Sequence, residues 1–152
     1  MSGRTDFENS LVNAVEGIRD AYPAWTESIK FLGAGSGLGD FGDGWSATFK
    51  SPIGYVGKVV GCSIFEITET FACDTTEARV DVGITGDTDK FYVGDGITDG
   101  AAAATPENGA GTTKAEMIPS NTDILVTGNA GVDTGTEAGI ASVNLVIEWY
   151  TE

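Results

Sequence analysis

The segment Ala141-Ser-Val-Asn-Leu-Val-Ile-Glu-Trp-Tyr150 decides the fold class of this chain. Apolar side chains stand at every second position from Ala141 to Trp149, and polar ones such as Ser142 and Asn144 lie between them. A period of two points successive side chains to opposite faces of a β-strand. The segment therefore predicts a half-buried strand whose apolar face belongs to the core.

The same alternation recurs along most of the chain, and Gly, Pro, Asn and Asp turn residues separate the repeats. Many short strands joined by turns rather than by helices are typical of antiparallel sheets. We expect an all-β protein, an antiparallel β-sandwich that is jelly-roll-like and has about seven strands. The predicted strands are residues 45–49, 56–68, 80–84, 91–93, 114–118, 124–127 and 141–149.

The N-terminal region has a helical pattern instead. Thr5-Asp6-Phe7-Glu8 matches the capping box that starts a helix, and Pro23 ends the pattern. Apolar residues between these limits recur at spacings of three and four, which predicts an amphipathic helix. We therefore divide the chain into a helical arm (1–32), a glycine-rich connector (33–44) and a β-sandwich domain (45–152).

The arm has two possible uses. Its apolar stripe either packs on the chain's own sandwich, or leaves through the glycine connector and docks on a neighbouring subunit or a partner. The second use predicts an interface with a partner or with other copies of the chain. The candidate interface residues are Phe7, Leu11, Val15, Ile18, Tyr22, Trp25, Phe31, Leu38 and Phe41.

Composition excludes several classes of function. The 152 residues contain 8 Lys and Arg, 23 Asp and Glu and no His, for a formal net charge of −15. Such a chain is repelled by phosphate backbones and anionic lipids, so we expect neither a nucleic-acid nor a membrane partner. Without histidine there is no Ser-His-Asp or Cys-His nucleophile pair and no His-ligated zinc. We predict no catalytic residues, no cofactor and no enzyme activity.

Three motifs resemble catalytic or binding motifs, but turn structure accounts for each more simply. Gly33-Ala-Gly-Ser-Gly37 lacks the third glycine of a nucleotide loop, and Asp133-Thr-Gly135 is the triplet of aspartic proteases set in a Gly/Thr-rich run. Gly54-Tyr-Val-Gly57 resembles a segment of trimeric dUTPases, without that family's preceding aspartate. These leave a small all-β enzyme as a remaining alternative.

The acidic turns and the two cysteines each carry a minor alternative. Calcium binding by the carboxylates of Asp87, Asp89, Asp95 and Asp99 stays open, although their spacing does not follow an EF-hand. Cys62 and Cys73 are too far apart along one extended strand to form a disulfide. We expect two free thiols, with a disulfide as the less favoured alternative.

The strand and turn patterns resemble those of small β-rich virion proteins of tailed bacteriophages, especially head decoration or cement proteins. The segments that carry this resemblance are Ala78–Gly83, Gly86–Phe91, Ile118–Thr127 and Ala141–Tyr150. Together they cover about the C-terminal half of the chain, and none is a catalytic signature.

The resemblance implies a non-enzymatic protein that forms a homo-oligomer, as a trimer in that family. It implies a place on the outer surface of a capsid, after synthesis in the host cytoplasm, where the protein binds the major capsid protein and stabilises the head. A tail, neck or fibre component, such as a receptor-binding module, is the alternative within structural proteins.

Overall fold

The computed structural model describes residues 22–33, 37–102 and 111–152. Within these residues the chain is all-β, and the strands form two antiparallel sheets. The strands are β1 (Trp25–Phe31), β2 (Trp45–Lys50), β3 (Tyr55–Ala72), β4 (Arg79–Ile84), β5 (Asp87–Val93), β6 (Thr112–Thr113), β7 (Asp123–Asn129) and β8 (Ala138–Thr151).

The first sheet has the order β1-β8-β3, so the strand that decided the fold class is its central member. β8 pairs antiparallel with β1 on one side and with the long β3 on the other. The alternating apolar residues of β8, from Ala141 to Trp149, are completely buried, as predicted. Three register shifts in β3 follow Val59, Phe65 and Glu69, and Glu66 has a φ of 49° within the second of them.

The second sheet has the order β2-β7-β4-β5-β6. The strands predicted at 45–49, 80–84, 91–93 and 124–127 are confirmed as β2, β4, β5 and β7. A tight turn at Thr85-Gly86 joins β4 to β5, and the φ of 91° at Gly86 explains why glycine occupies it.

One hydrophobic core lies between the two sheets in a sandwich-like arrangement. The inward side chains of β8 and those of the second sheet, such as Ile124 and Val126 on β7, belong to one buried cluster. Aromatic rings pack at one end of it, where Phe41 lies 5.7 Å from Trp45 and 5.2 Å from Phe71 between ring centroids. Burial of these apolar side chains is the main stabilising contribution to the fold.

One side of the sandwich is closed by the chain itself. The Thr113 hydroxyl donates a 2.6 Å hydrogen bond to the carbonyl of Val59, and Ile118 forms a β-bridge with Gly57. The predicted strand at 114–118 is therefore wrong, because this segment crosses from the second sheet to the first instead of lying in one sheet. Only Thr112–Thr113 pairs as a strand, with β5.

Part of the predicted helical arm is a strand. Residues 25–31, which we placed in the arm, form β1 and pair with β8 from Trp25↔Trp149 to Phe31↔Val143. The apolar residues Trp25, Ile29 and Phe31 all occupy odd positions, which is a period of two as well as a continuation of a stripe. The body therefore includes β1, while residues 1–21, with most of the predicted helix, lie outside the described residues.

The glycine-rich connector joins β1 to β2 within the body and, where described, packs closely on β8. Asp40 forms a β-bridge with Ile140, and the Phe41 amide donates to the carbonyl of Gly139 at 2.7 Å. A Cβ on Gly39 would stand 2.4 Å from the carbonyl oxygen of Ala141, so the glycine permits close backbone contact. Where it is described, the connector therefore lies against the body instead of leading away from it.

Candidate interaction surfaces

Four loops that meet at one end of the body form an acidic surface, which we call the acidic end. The loops are residues 37–44, 73–78, 94–102 and 130–137, and each contains two carboxylates and no Lys or Arg. The eight acidic residues are Asp40, Asp43, Asp74, Glu77, Asp95, Asp99, Asp133 and Glu137.

Hydrogen bonds between loops bring these residues together. The Thr134 hydroxyl and amide donate to the two carboxylate oxygens of Asp74 at 2.7 and 2.8 Å. In the other direction, the Asp74 amide donates to Asp133 at 3.3 Å. The Cys73 amide donates to Asp99 at 2.9 Å, which attaches the loop after β5. Residues far apart in sequence thus share one end of the fold.

Five of the eight carboxylates accept hydrogen bonds from backbone amides and so stabilise the loops. Three of them are Asp74, Asp99 and Asp133. The other two are Asp40, which accepts a hydrogen bond from the Gly42 amide at 3.0 Å, and Asp95, which accepts one from the Gly96 amide at 3.1 Å. The hydrogen bonds from Thr134 hold the pKa of Asp74 below its ordinary value.

The other three, Asp43, Glu77 and Glu137, accept no hydrogen bond from the described residues and are available to a partner. A groove of about 290 Å³ opens between the first and fourth of these loops. The carboxylates of Asp40, Asp43, Glu69 and Glu137 line it.

The opposite end of the body differs, because lysines pair with carboxylates toward that end. Lys90 lies 3.2 Å from Glu116, Lys50 lies 3.8 Å from Asp123, and Lys114 lies 3.9 Å from Asp89. These exposed pairs contribute little to stability. They do reduce the local charge, so the two ends of the molecule are electrostatically distinct.

A second surface lies along the side of the sandwich where β1 and β2 are the sheet edges; we call it the open seam. Trp25 and Ile29 of β1 share their sheet face with the buried Trp149 and Leu145, but Trp25 is 37% exposed and Ile29 is half-buried. Phe49 of β2 is half-buried as well. The inner face is thus less completely covered at the open seam than in the centre of the sheets.

The predicted interface residues divide into three groups. Phe31 and Phe41 are buried in the core of the body and pack against residues of the same chain. Tyr22, Trp25 and the half-buried Leu38 are at least partly accessible. The remaining predicted residues, Phe7, Leu11, Val15 and Ile18, lie outside the described residues.

The motifs considered for chemistry have structural roles where they are described. The Asp133 carboxylate accepts the Gly135 amide at 2.7 Å within the acidic end, and Gly57 packs against the Trp149 ring. In residues 22–33, 37–102 and 111–152, no three carboxylates or thiols are grouped to hold a metal ion.

The two cysteines are free, as predicted, and both are buried. Cys62 borders a cavity of about 10 Å³ between the sheets, room for about one water molecule. Burial raises the pKa of the Cys62 thiol to about 12. A thiol in this state is a packing residue rather than a nucleophile.

A buried carboxylate that sequence analysis did not single out lies on β4. Asp81 is 1% exposed and accepts hydrogen bonds from Asn129 at 2.6 Å, Arg79 at 3.1 Å and the Gly94 amide at 3.2 Å. These bonds join β4 to the ends of β7 and β5. Asp81 therefore stabilises the strands from which the loops of the acidic end begin. In the sequence it stands between the apolar residues Val80 and Val82, a position that the alternation assigns to the exposed face, so its burial could not be predicted.

No protein-family model, curated protein or solved structure matches this chain. Among the residues that the structure describes, no helix is long and apolar enough to cross a membrane.

Proposed function

We propose that this chain is a non-enzymatic virion protein that decorates the outside of a tailed-phage capsid. Its acidic end binds a basic surface of the major capsid protein, and the bound protein stabilises the head. The resemblance of the C-terminal half to decoration proteins supports this function and is the sole support for a trimer. The acidic end, described above, is the observation that carries the proposal.

The order of the strands supports a jelly-roll architecture. We infer a jelly roll, because β1-β8-β3 faces β2-β7-β4-β5 and the segment 112–118 lies beside β3. Viral capsid and lectin domains use this architecture. Since one fold serves many functions, the surface rather than the fold must specify the partner.

The charge of the acidic end favours a basic protein partner. Eight carboxylates without a Lys or Arg in the same loops produce a negative potential that attracts and orients a basic surface. The same potential repels the phosphates of packaged DNA. Because Lys50, Lys90 and Lys114 lie toward the opposite end, the molecule approaches a basic shell with its four loops first.

Co-sedimentation with purified heads that lack this protein tests the proposal. The test variant combines Asp43→Asn, Glu77→Gln and Glu137→Gln, which remove three charges without removing an acceptor of a backbone amide. The control variant combines Asp87→Asn, Asp123→Asn and Glu152→Gln, which change the net charge equally at the opposite end. Both retain the buried core.

The native protein should co-sediment in hundreds of copies per head, and the bound fraction should fall as salt is raised. The test variant should bind roughly ten-fold more weakly than the control, about 1.4 kcal/mol for three surface charges. Equal binding of the two variants would overturn the acidic end as the docking surface. A handful of copies per particle would favour the tail, neck or fibre alternative.

A further inference from the structure

We propose that the edge strand β2 pairs antiparallel with β2 of a second copy of this chain, about a two-fold axis at Thr48. The second sheets of the two copies then form one continuous sheet. The inference rests on the described sheet edges and not on the proposed function. It predicts a dimer in place of the trimer that the resemblance implies. The acidic ends of this dimer point in opposite directions, so one of the two can bind a shell.

Among the described residues, β2 is the sheet edge with the least protection against such pairing. The edge of β3 is bridged by Ile118 at Gly57, and β6 has only two residues. β1 has the charged Glu27 on its inner face, opposite a residue of β8 that is completely buried, and an inward charge discourages pairing. In contrast, β2 contains neither Pro nor Gly, its one charge is Lys50 at its end, and it pairs with β7 without a bulge.

The outward backbone groups of β2 belong to alternate residues. The Ser51 amide donates to the Thr122 carbonyl at 3.0 Å, and this pair continues the register of β2 with β7. Because the bonded residues of an antiparallel ladder alternate, the amides and carbonyls of Ser46, Thr48 and Lys50 point away from β7. A two-fold axis at Thr48 aligns these three residues with the same three of the second copy, which allows about six hydrogen bonds.

The side chains of β2 are self-complementary in this register. On the inner face, the half-buried Phe49 lies opposite the partner's Ala47, so a large side chain meets a small one and is covered further. On the outer face, Lys50 lies opposite the partner's Ser46, and the uncharged Thr48 meets its own copy. Like charges therefore do not face each other between the two strands.

The charge distribution of the body favours a second copy in the antiparallel direction. β2 begins next to the acidic loop 37–44 and ends at Lys50, toward the opposite end of the molecule. Pairing about Thr48 places Lys50 of each copy beside loop 37–44 of the other, which contains Asp40 and Asp43. This attraction offsets part of the repulsion between two chains that each have a formal net charge of −15.

Sedimentation equilibrium of the full-length protein over a range of concentrations tests the pairing. The native protein should have twice the mass of one chain. Thr48→Lys places two like charges against each other at the axis, and we expect it to raise the dissociation constant of the dimer by roughly ten-fold. Thr26→Lys makes the same change at an exposed position of the other edge strand, β1, and should leave the dissociation constant unchanged. A monomeric or trimeric native protein, or equal dissociation constants for the two variants, would overturn the proposal.

A second measurement tests the register. Thr48→Cys should form a disulfide-linked dimer under mild oxidation, because bonded residues directly opposite each other in an antiparallel pair have Cα atoms about 5.5 Å apart. Thr26→Cys, the matched control, should stay unlinked. Cys62 and Cys73 are buried and do not interfere. Unlinked chains for Thr48→Cys, or equal linking of both variants, would overturn the pairing about Thr48.

Discussion

The indole nitrogen of Trp149 donates a 2.8 Å hydrogen bond to the carboxylate of Glu27, so the edge strand β1 is tied by a side chain to the centre of its sheet. Trp149 is completely buried, and Glu27 is exposed on the neighbouring strand. The exposed carboxylate of Glu27 is therefore the hydrogen-bond acceptor for the indole N–H of a core residue.

Replacing Glu27 by Ala should destabilise the protein by about 1–2 kcal/mol, because the buried indole N–H loses its acceptor. Glu27→Gln keeps an oxygen acceptor and should cost less. Urea unfolding measures both free energies, with Ser28→Ala on the opposite face of β1 as the control. If Glu27→Ala lowered the free energy of unfolding no more than Ser28→Ala does, water would be replacing the carboxylate as the acceptor.

Gly57 packs against the face of Trp149, and a Cβ there would stand 2.4 Å from a ring carbon. Gly57→Ala should therefore destabilise by about 1–3 kcal/mol through overpacking. Gly61, on the same strand, is the matched control, since its Cβ would meet only Val146 at 3.9 Å. Equal midpoints of thermal unfolding for Gly57→Ala and Gly61→Ala would contradict this packing argument.

Asp81→Ala should destabilise by about 3 kcal/mol, because three donors around a buried carboxylate lose their acceptor. Asp123→Ala removes an exposed carboxylate from a salt bridge with Lys50 and should change stability by less than about 0.5 kcal/mol. Chemical denaturation of the two variants compares them directly. The Asp81 variant should also lose amide protection at Gly94 in hydrogen exchange.

Native thiols should not react with a thiol reagent at pH 8. Burial raises the pKa of Cys62 to about 12 and also raises the pKa of Cys73, so little thiolate is present and access is blocked. Two thiols per chain should react after unfolding in urea. A Ser28→Cys variant should react once in the folded state, which controls for reagent activity.

The link between the loops at Asp74 should weaken in acid. Its pKa is lowered by Thr134, so its stabilising contribution is present above the ordinary carboxyl pKa and is lost as the pH falls through the lowered value. NMR titration of the carboxyl carbon should find the pKa of Asp74 closer to its ordinary value in Thr134→Val. No change in that pKa would exclude the threonine hydroxyl as its cause.

Local patterns predicted the centre of each sheet better than its edges. β8 and β7 bury mainly one face, so their side chains alternate along the sequence and reveal both the strand and its core side. β4 also alternates in sequence, although its residues 80–83 are all buried. β1 was interpreted as part of the arm because its seven residues follow a helical stripe, and three apolar positions fit either period. The segment at 114–118 was misassigned because its extended residues belong to a crossing between sheets.

The acidic end could not be located from sequence. Its eight carboxylates come in pairs from four loops, and only the strand order brings those loops to one end. The large negative charge was evident from composition, but its concentration at one end depends on which ends of β2, β3, β5 and β7 meet. Burial of Phe31 and Phe41 depends on the same assembly.

By itself, the sequence determined the all-β class, the inward faces of the main strands and the two unpaired thiols, because period, turn residues and spacing act between near neighbours. Only the tertiary structure decided the pairing of β1 with β8, the burial of Asp81, the acidic end and the open seam. These features arise from contacts between residues far apart in the chain, whose partners are chosen by the packing of two whole sheets.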